Sequence, residues 1–518
     1  MNHLVIAPVL LPLLAGILLL LLRRRNLPLQ RAAGANSFAH LTLQRALSVT
    51  AVAAQIGLAA GLMAAVSGGD ILVYALGDWP APFGIVLVAD RLSAWMLLIT
   101  ALLSLFALLY AIRGADHAGA HFHVLFQLLL FGLNGAFLTG DLFNLFVFFE
   151  ILLLASYGLL LHGGGRRRTR AGLHFVVINL AGSTLFLFAI GTLYGVLGTL
   201  NMADLAVKVA ATPPENVPLV RAAGLLLFGV FALKAALLPL YLWLPAAYAH
   251  TSAPVAALFA IMTKVGAYSI LRVYTLIFGD QAGPAANLIE PWLLPLALVT
   301  LAVGMLGAVA STHLRQQVAY LVVASIGSLL TAFGLNSAAG IAAGLYYLPH
   351  TTFTLAAFFL LADAIANRRG PLGDRLDPGP VIANSRLLGA LFFVTAILAA
   401  GLPPLSGFLG KFLILRAALE HPALPWVMGV LLVTALLGLI ALARSGSLLF
   451  YRAQPAETAV PAAAPGGGEL APIMGLLALC LALTIWAGPA TDFARATAGQ
   501  LLQPYHYVHA VLGGGGSR

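Results

Sequence analysis

The chain has 518 residues, of which 61% are hydrophobic and only 8% are charged. Soluble domains carry roughly 25% charged residues, so this composition excludes a soluble globular protein and predicts a polytopic membrane protein. The net charge of +10 does not indicate nucleic-acid binding, because the arginines follow the connections between apolar segments. The single cysteine, Cys480, excludes an intramolecular disulfide and argues against a cysteine-ligated cluster.

Apolar segments near the length of roughly 20 residues that crosses a bilayer recur along the whole chain. They predict an all-α fold with about 14 transmembrane helices. These helices are predicted near 3–22, 44–66, 91–112, 122–139, 141–161, 171–196, 221–244, 252–277, 290–310, 317–335, 340–365, 386–419, 425–450 and 470–489. We interpret 386–419, which is long and carries Pro403 and Pro404, as one broken helix. The alternating segment 67–90 predicts an external β-hairpin.

The basic residues are distributed unevenly between the two sides of the membrane. With the N-terminus outside, seventeen fall on the cytoplasmic side and seven on the other. This bias predicts an even number of spans and both termini outside. The first span starts without a charged region, which predicts a helix rather than a cleaved signal peptide.

The sequence predicts one domain with a linker and a short C-terminal tail. We expect 1–518 to form a single integral membrane domain, with 453–469 as a Pro/Ala/Gly linker. The last residues, 513–518, are interpreted as either a native tail or an artificial addition.

Four ionisable residues sit deep inside apolar segments, namely Glu150, Lys234, Lys264 and Lys411. Each costs at least about 2.5–3.5 kcal/mol to insert, so a chain that keeps all four is expected to use them. The usual use is a path for protons or cations through the bilayer. The alternatives are a static Glu150–Lys234 pair that only locks helices together, and snorkelling of Lys264 and Lys411 to the interface.

Prolines coincide with these charges. Pro239 follows Lys234 by five residues, and Pro403 and Pro404 precede Lys411 by eight and seven. At membrane depth, a proline-broken backbone survives only where it is buried in protein or faces water. Broken helices in corresponding halves of the chain predict an internal repeat with the functional site at the breaks. The alternative is that these prolines are ordinary kinks.

His350 also lies centrally in its span and can titrate in the physiological range. The hydroxyls of Thr351, Thr352 and Thr354 are predicted to hold water beside it, although a lone buried histidine is often structural. His250, at a helix boundary, is either a proton entry point or a plain loop residue.

Two other polar groups are interpreted as structural. The loop histidines His117, His121 and His123 are predicted to be solvated rather than metal ligands. Asp141 and Asn144 are predicted to cap the helix that carries Glu150.

Several motifs are absent from the sequence. It contains no P-loop, no dinucleotide fingerprint and no HExxH zinc motif. We therefore expect no cofactor and no metal, and energy that comes from an ion gradient or from a partner protein.

Four segments together resemble the antiporter-like family: FFEILLLASYGLLL, LKAALLPLYLWLPAAYAHTSAPVAALFAIMTKVGAY, LYYLPHTTFTLAAFFLLAD and GLPPLSGFLGKF. This family comprises the large membrane subunits of Mrp-type cation/proton antiporters, respiratory complex I and membrane-bound hydrogenases. The resemblance implies two inverted five-helix repeats, at 122–277 and 290–450, with broken seventh and twelfth helices. The overall pattern is most similar to the D-type subunits of Mrp-type Na+/H+ antiporters.

The resemblance also implies roles for the buried charges. Glu150 and Lys234 match the family's gating pair, Lys264 and His350 its relay, and Lys411 its terminal lysine. Thr354 stands where many relatives carry a second lysine, which leaves His350 as the titrating group there.

The implied function is that of a non-enzymatic subunit in a bacterial cell membrane, which moves protons in exchange for Na+ or another monovalent cation. Its implied partners are a larger antiporter-like subunit and small membrane subunits. A proton-pumping subunit of a complex I-like or hydrogenase-like redox complex is the alternative, and a structural scaffold with static charges is the third.

Overall fold

The computed structural model describes residues 3–24, 36–379, 381–382, 384–452 and 468–513. Most of the predicted linker, at 453–467, and residues 514–518 of the predicted tail lie outside this part. The helices and strands, in chain order, are α1 (Ala7–Arg24), α2 (Asn36–Val66), β1 (Leu72–Ala75), β2 (Val86–Ala89), α3 (Arg91–Ala111), α4 (Phe122–Leu138), α5 (Leu142–Leu161), α6 (Arg166–Leu197), α7 (Met202–Ala210), α8 (Val217–Ala235), α9 (Trp243–His250), α10 (Ala253–Phe259), α11 (Met262–Leu276), α12 (Glu290–Ala310), α13 (Leu314–Gly334), α14 (Ala338–Ala366), α15 (Ser385–Ala400), α16 (Ser406–Ala417), α17 (Leu424–Gly446), α18 (Ala471–Ile485), α19 (Ala487–Leu501) and α20 (Pro504–Leu512).

The predicted polytopic, mostly helical architecture is confirmed. Within the described ranges, ten helices are long and apolar enough to cross a membrane, and an eleventh span arises if α18 and α19, bent by 79°, are counted together. Three further apolar helices, including α4 and α15, are shorter. The chain divides into two compact units, the first formed by Met1–Phe231, Tyr268–Ile289 and Gly499–Arg518, the second by Ala232–Ala267 and Glu290–Ala498.

The first unit contains the predicted hairpin. Strands β1 and β2 pair antiparallel, with Leu72 opposite Ala89 and Ala75 opposite Val86, so the hairpin prediction is confirmed. Asp90 follows β2 directly and caps α3, because its carboxylate accepts a hydrogen bond from the Ser93 amide.

An ion pair buried beside the hairpin joins three helices of the first unit. Arg272 on α11 makes two bonds to the Asp90 carboxylate, at 2.6 and 2.7 Å. Its guanidinium also lies 5.6 Å from the Tyr268 ring and 5.3 Å from the Tyr507 ring of α20. Such a bidentate pair offsets the desolvation of both charges and fixes the relative placement of α3, α11 and α20.

The second unit is organised around α14, which packs against α10, α13, α15, α16 and α18. This helix runs without interruption through Pro349, and nearly all its side chains are buried. Because α14 spans Ala338–Ala366, His350 lies near its middle and is buried among the surrounding helices.

Helix α8 ends one residue after Lys234. Ala236 takes a left-handed conformation with φ 59°, and the Leu237 amide donates to the Ala232 carbonyl at 2.9 Å. This is a Schellman ending, in which the left-handed residue is alanine rather than the usual glycine. Pro239 lies in the connection that follows, before α9 begins.

Helix α15 ends in the same manner. Gly401 has φ 78°, and the Leu402 amide donates to the Ile397 carbonyl at 3.1 Å. Pro403 and Pro404 then lie between α15 and α16, so the predicted segment 386–419 is indeed two helices with a non-helical connection.

The structure corrects two features of the predicted pattern. The segment 252–277 remains one candidate span, Ala253–Leu276, but its helix is interrupted at 260–261, between α10 and α11, where the sequence has no proline or glycine. The last predicted helix, 470–489, is replaced by α18 and α19, and α20 follows. The first break carries no backbone signal in the sequence, whereas Gly488 and Pro489 directly follow the second and are a usable signal for it.

Candidate functional site

Lys264 lies on the first turn of α11 and is fully buried. Its Nζ lies 3.5 Å from Ser325 Oγ on α13, to which it can donate a hydrogen bond. Gly266 allows α11 to approach α8 closely, since a Cβ there would lie 2.8 Å from the backbone of Lys234 and Ala235. The lysine-bearing turns of α8 and α11 are therefore in backbone contact in the second unit.

A polar cavity of about 30 Å³ lies next to this lysine. It has room for about two water molecules, and its polar lining supplies the partners that buried water needs. The polar residues that line it are Ser325, Ser328, Tyr347, His350, Thr351, Thr354 and Lys411. Ser325 thus contacts Lys264 and also lines the cavity that His350 and Lys411 line.

His350 is held by hydroxyl groups. Its Nδ1 lies 2.9 Å from Ser406 Oγ, at the start of α16, and 3.4 Å from Thr354 Oγ1. Thr354 Oγ1 in turn lies 3.4 Å from the sulfur of Cys480 on α18. A hydroxyl can donate or accept, so this cluster serves the imidazole in either protonation state.

Lys411 is anchored at the end of a broken helix. Its Nζ donates to the Ala400 carbonyl at 2.7 Å. This carbonyl belongs to the last turn of α15, where backbone acceptors lack helical partners and carry partial negative charge. Gly401 leaves room for the lysine stem, because a Cβ there would lie 2.8 Å from Lys411 Cδ. The break thus supplies a neutral acceptor for a cation inside the membrane.

Glu150 lies on α5 of the first unit and accepts a hydrogen bond from Ser183 of α6. Its sequence neighbour Phe149 packs with Phe186 and Phe231 at ring distances of 5.4–6.3 Å. Glu150 itself is only partly buried, so the prediction of a fully buried carboxylate is wrong. Lys234 is buried in the second unit. Their pairing stays a prediction.

The three threonines and His250 differ in whether they line the cavity. Thr351 and Thr354 line the cavity, whereas the hydroxyl of Thr352 donates to the Leu348 carbonyl of its own helix at 2.8 Å. His250 is exposed at the end of α9, with Nδ1 at 2.8 Å from the Ala246 carbonyl. It is not among the residues that line the cavity.

The loop histidines are only partly as predicted. His117 and His121 are exposed, but the prediction for His123 is wrong because this residue is buried. Its Nε2 lies 3.3 Å from the Asp116 carboxylate, which also pairs with Arg45 at 2.6 Å. Burial by itself would raise the pKa of Asp116, but the hydrogen bonds from His123 and Arg45 hold it well below its usual range.

The capping prediction is confirmed. The Asp141 carboxylate accepts a hydrogen bond from the Asn144 amide at 2.8 Å, at the start of α5. This cap orients the helix that carries Glu150.

Sequence reasoning missed the hydroxyls beside the predicted site residues, namely Ser325 and Ser328, which line the cavity, and Ser406, which contacts His350. Ser325 and Ser328 stand three residues apart in an apolar helix, which places both on one face. Polar residues with this spacing inside a membrane segment are a usable signal, because isolated hydroxyls there gain little from packing alone.

The close approach of α16 to His350 depends on Gly407, and this generates a prediction. A Cβ at this position would collide with the Leu398 carbonyl and lie 2.9 Å from His350 Nε2. We expect Gly407→Ala to destabilise the fold by about 1–3 kcal/mol through overpacking, measured as a lower thermal unfolding midpoint.

The matched control is Gly429→Ala on α17, where no atom lies within 4 Å of an added Cβ. It should leave the midpoint unchanged or raise it slightly, since alanine favours helices. If the two variants unfold at the same temperature, the close packing of His350 against α16 is contradicted.

Comparison with known proteins identifies the family. Residues 139–438, more than half of the chain, match the family described as "NADH:quinone oxidoreductase/Mrp antiporter, TM". The chain is 42% identical to the D-type subunit of a probable K(+)/H(+) antiporter from Rhizobium meliloti, over 99% of this chain and 98% of that protein. It is 37% identical to the D-type subunit of the Na(+)/H(+) antiporter from Alkalihalophilus pseudofirmus, over 99% and 100%.

A solved structure agrees. A chain of the Mrp complex from Dietzia sp. DQ12-45-1b superposes with a TM-score of 0.85 at 28% identity, covering 99% of this chain and 100% of that one. The resemblance inferred from the four sequence segments is thereby confirmed. The chain belongs to the NADH:quinone oxidoreductase/Mrp antiporter family.

Proposed function

We propose that this chain is the proton-translocating D-type subunit of a multisubunit antiporter that exchanges protons for Na+ or another monovalent cation. The observation that carries this proposal is the buried path from Lys264 through Ser325 to the cavity shared by His350 and Lys411. The names of the relatives, which are D-type antiporter subunits for Na+ or K+, support the same function.

The proton route follows the order of these contacts. Lys264 exchanges a proton with water in the cavity through the Ser325 hydroxyl. His350, held by Ser406 and Thr354, passes the proton across the cavity without leaving its place. Lys411 receives it as the exit group, because its protonated form is the one that the Ala400 carbonyl stabilises.

Glu150 and Lys234 form the gate in this proposal. Pairing of the two would hold the lysine charge away from Lys264, and separation would expose Lys264 to that charge. A nearby like charge favours release of a proton from a lysine. The backbone contact between α8 and α11 at Gly266 supports such coupling, since it places the turn of Lys234 against the helix of Lys264.

The cation takes another route. Among the described membrane helices, acidic side chains suited to a Na+ site are scarce, and oxygen ligands are what such cations require. We therefore assign the cation path to a neighbouring subunit, with a larger antiporter-like chain and small membrane subunits as partners in a bacterial cell membrane.

The finer architecture is also part of the proposal. We infer fourteen transmembrane helices, inverted repeats at 122–277 and 290–450, and both termini outside. The matching Schellman endings at Ala236 and Gly401, each followed by proline, support two related broken helices. In this scheme α8–α9 and α15–α16 are the seventh and twelfth helices.

A second candidate function follows from the family description, which also covers quinone oxidoreductases. In a redox complex, the same buried residues would pump protons driven by electron transfer. Gentle purification and mass spectrometry of partners discriminates the two. Only membrane subunits are expected for an antiporter, whereas flavin- or cluster-bearing subunits would assign the chain to a redox complex.

The exit role of Lys411 yields a direct test. We expect Lys411→Ala to reduce cation/proton exchange to background in membrane vesicles while the complex still assembles, because α16 has no other lysine that could replace it. Exchange is measured as cation-induced collapse of a pH gradient, and assembly as co-purification of the partner subunits.

Lys208→Ala provides the matched control. Lys208 lies on the short helix α7, where it pairs with Asp204 at 3.0 Å and is 41% exposed. This change removes the same side chain outside the buried path, so exchange should persist. Normal exchange by an assembled Lys411→Ala complex would exclude Lys411 from the proton route.

A further inference from the structure

A second cleft lies on the surface of the second unit, apart from the polar cavity. It has a volume of about 370 Å³, within the range of roughly 300–1,000 Å³ that small-molecule sites occupy. It lies where α14 begins, α16 ends and α19 passes. Its ionisable lining residues are Arg416, Glu420 and Arg495.

Exposed tryptophans on the helices near the cleft indicate the level of the lipid head groups. Trp426, at the start of α17, is 72% exposed, and Trp486, at the end of α18, is 62% exposed. Tryptophan concentrates at the boundary between hydrocarbon and water. Leu419, 57% exposed on the rim, offers an apolar contact beside the charged groups. A molecule with a polar head and an apolar tail matches this arrangement.

The charges of the cleft are unusual in that opposite groups do not pair. Arg416 and Glu420 both line it, yet in the described part of the chain neither has a salt-bridge partner within 4.0 Å. Among the residues that the structure describes, Arg495 on α19 has one salt-bridge partner, the exposed carboxylate of Asp492 at 3.3 Å. The cleft thus presents two guanidinium groups, one from α16 and one from α19, and the carboxylate of Glu420, all on exposed residues.

The floor leaves room for a ligand between these groups. Ala342, Ala343 and Ala417 carry the smallest side chain with a Cβ, so the space between α14 and α16 is not filled by the protein. Guanidinium groups favour phosphate oxygens, and a carboxylate favours an ammonium group. A head group that contains both charges satisfies every ionisable group that faces the cleft.

We propose that this cleft binds the phosphoethanolamine head group of a membrane phospholipid, with its phosphate at Arg416 and Arg495 and its ammonium at Glu420. The exposed Leu419 then packs against an acyl chain. The site lies outside the proton path, so it stands whether the complex is an antiporter or a redox pump.

The experiment measures lipid bound to the intact complex. The complex is purified in mild detergent and its retained phospholipids are identified by native mass spectrometry. For the double variant Arg416→Gln/Arg495→Gln, we expect about tenfold lower occupancy by phosphatidylethanolamine, which corresponds to about 1.4 kcal/mol. Ala339→Phe, which fills the cleft from an exposed position without changing charge, should lower the occupancy similarly.

The control is Arg113→Gln, an exposed arginine of the first unit that does not line the cleft. It should leave the occupancy unchanged, and Glu420→Gln should shift retention from phosphatidylethanolamine towards phosphatidylglycerol. Equal retention of phosphatidylethanolamine in all variants would overturn the proposal. The proposal would also be overturned if the unaltered complex preferred phosphatidylglycerol, or if the bound species had the mass of phosphate alone. Cross-linking of Ala339→Cys to another subunit would overturn it as well.

Discussion

The contact on which the candidate site depends is the bond from Lys411 Nζ to the Ala400 carbonyl, at 2.7 Å. A charged amine inside a membrane protein needs a hydrogen-bond acceptor, and the carbonyls within a regular helix are already bonded to amides of the same helix. The break between α15 and α16 provides them. Because the acceptor is a fixed dipole rather than a carboxylate, it stabilises the cation without trapping it in an ion pair. This property suits a group that must gain and lose a proton.

The same principle explains the arrangement around α14. This helix remains continuous through Pro349 and is covered on nearly all sides, so it acts as a rigid support for His350. The groups that contact His350 are hydroxyls, which can donate or accept a hydrogen bond and therefore suit either protonation state of the imidazole. The chain thus combines rigid apolar packing with a narrow polar interior, as the proposed proton path requires.

Much of this could be predicted from the sequence. The membrane class followed from composition, the hairpin from alternation at 67–90, and the end of α15 from Pro403 and Pro404. Buried lysines are conspicuous because insertion of each is costly. These features could be predicted because each is determined by residues close in sequence or by a large free-energy cost of insertion.

Other features depend on tertiary contacts and could not be predicted. The interruption before α11 has no local breaker, and α20 is held by a ring that packs on Arg272, a residue far away in the sequence. The burial of His123 depends on Arg45 and Asp116 from other elements. The roles of Ser325 and Ser406 could not be predicted, because they depend on contacts with Lys264 on α11 and His350 on α14.

The central claim is that the buried charges move protons rather than fasten helices together. It is tested most directly by exchange measurements on complexes that carry Glu150→Gln, Lys234→Met, or both changes at once. If the two residues form a working gate, the doubly neutralised complex should assemble and yet lose cation/proton exchange, as each single variant does. Full exchange by the double variant would show a static pair, and would contradict the account.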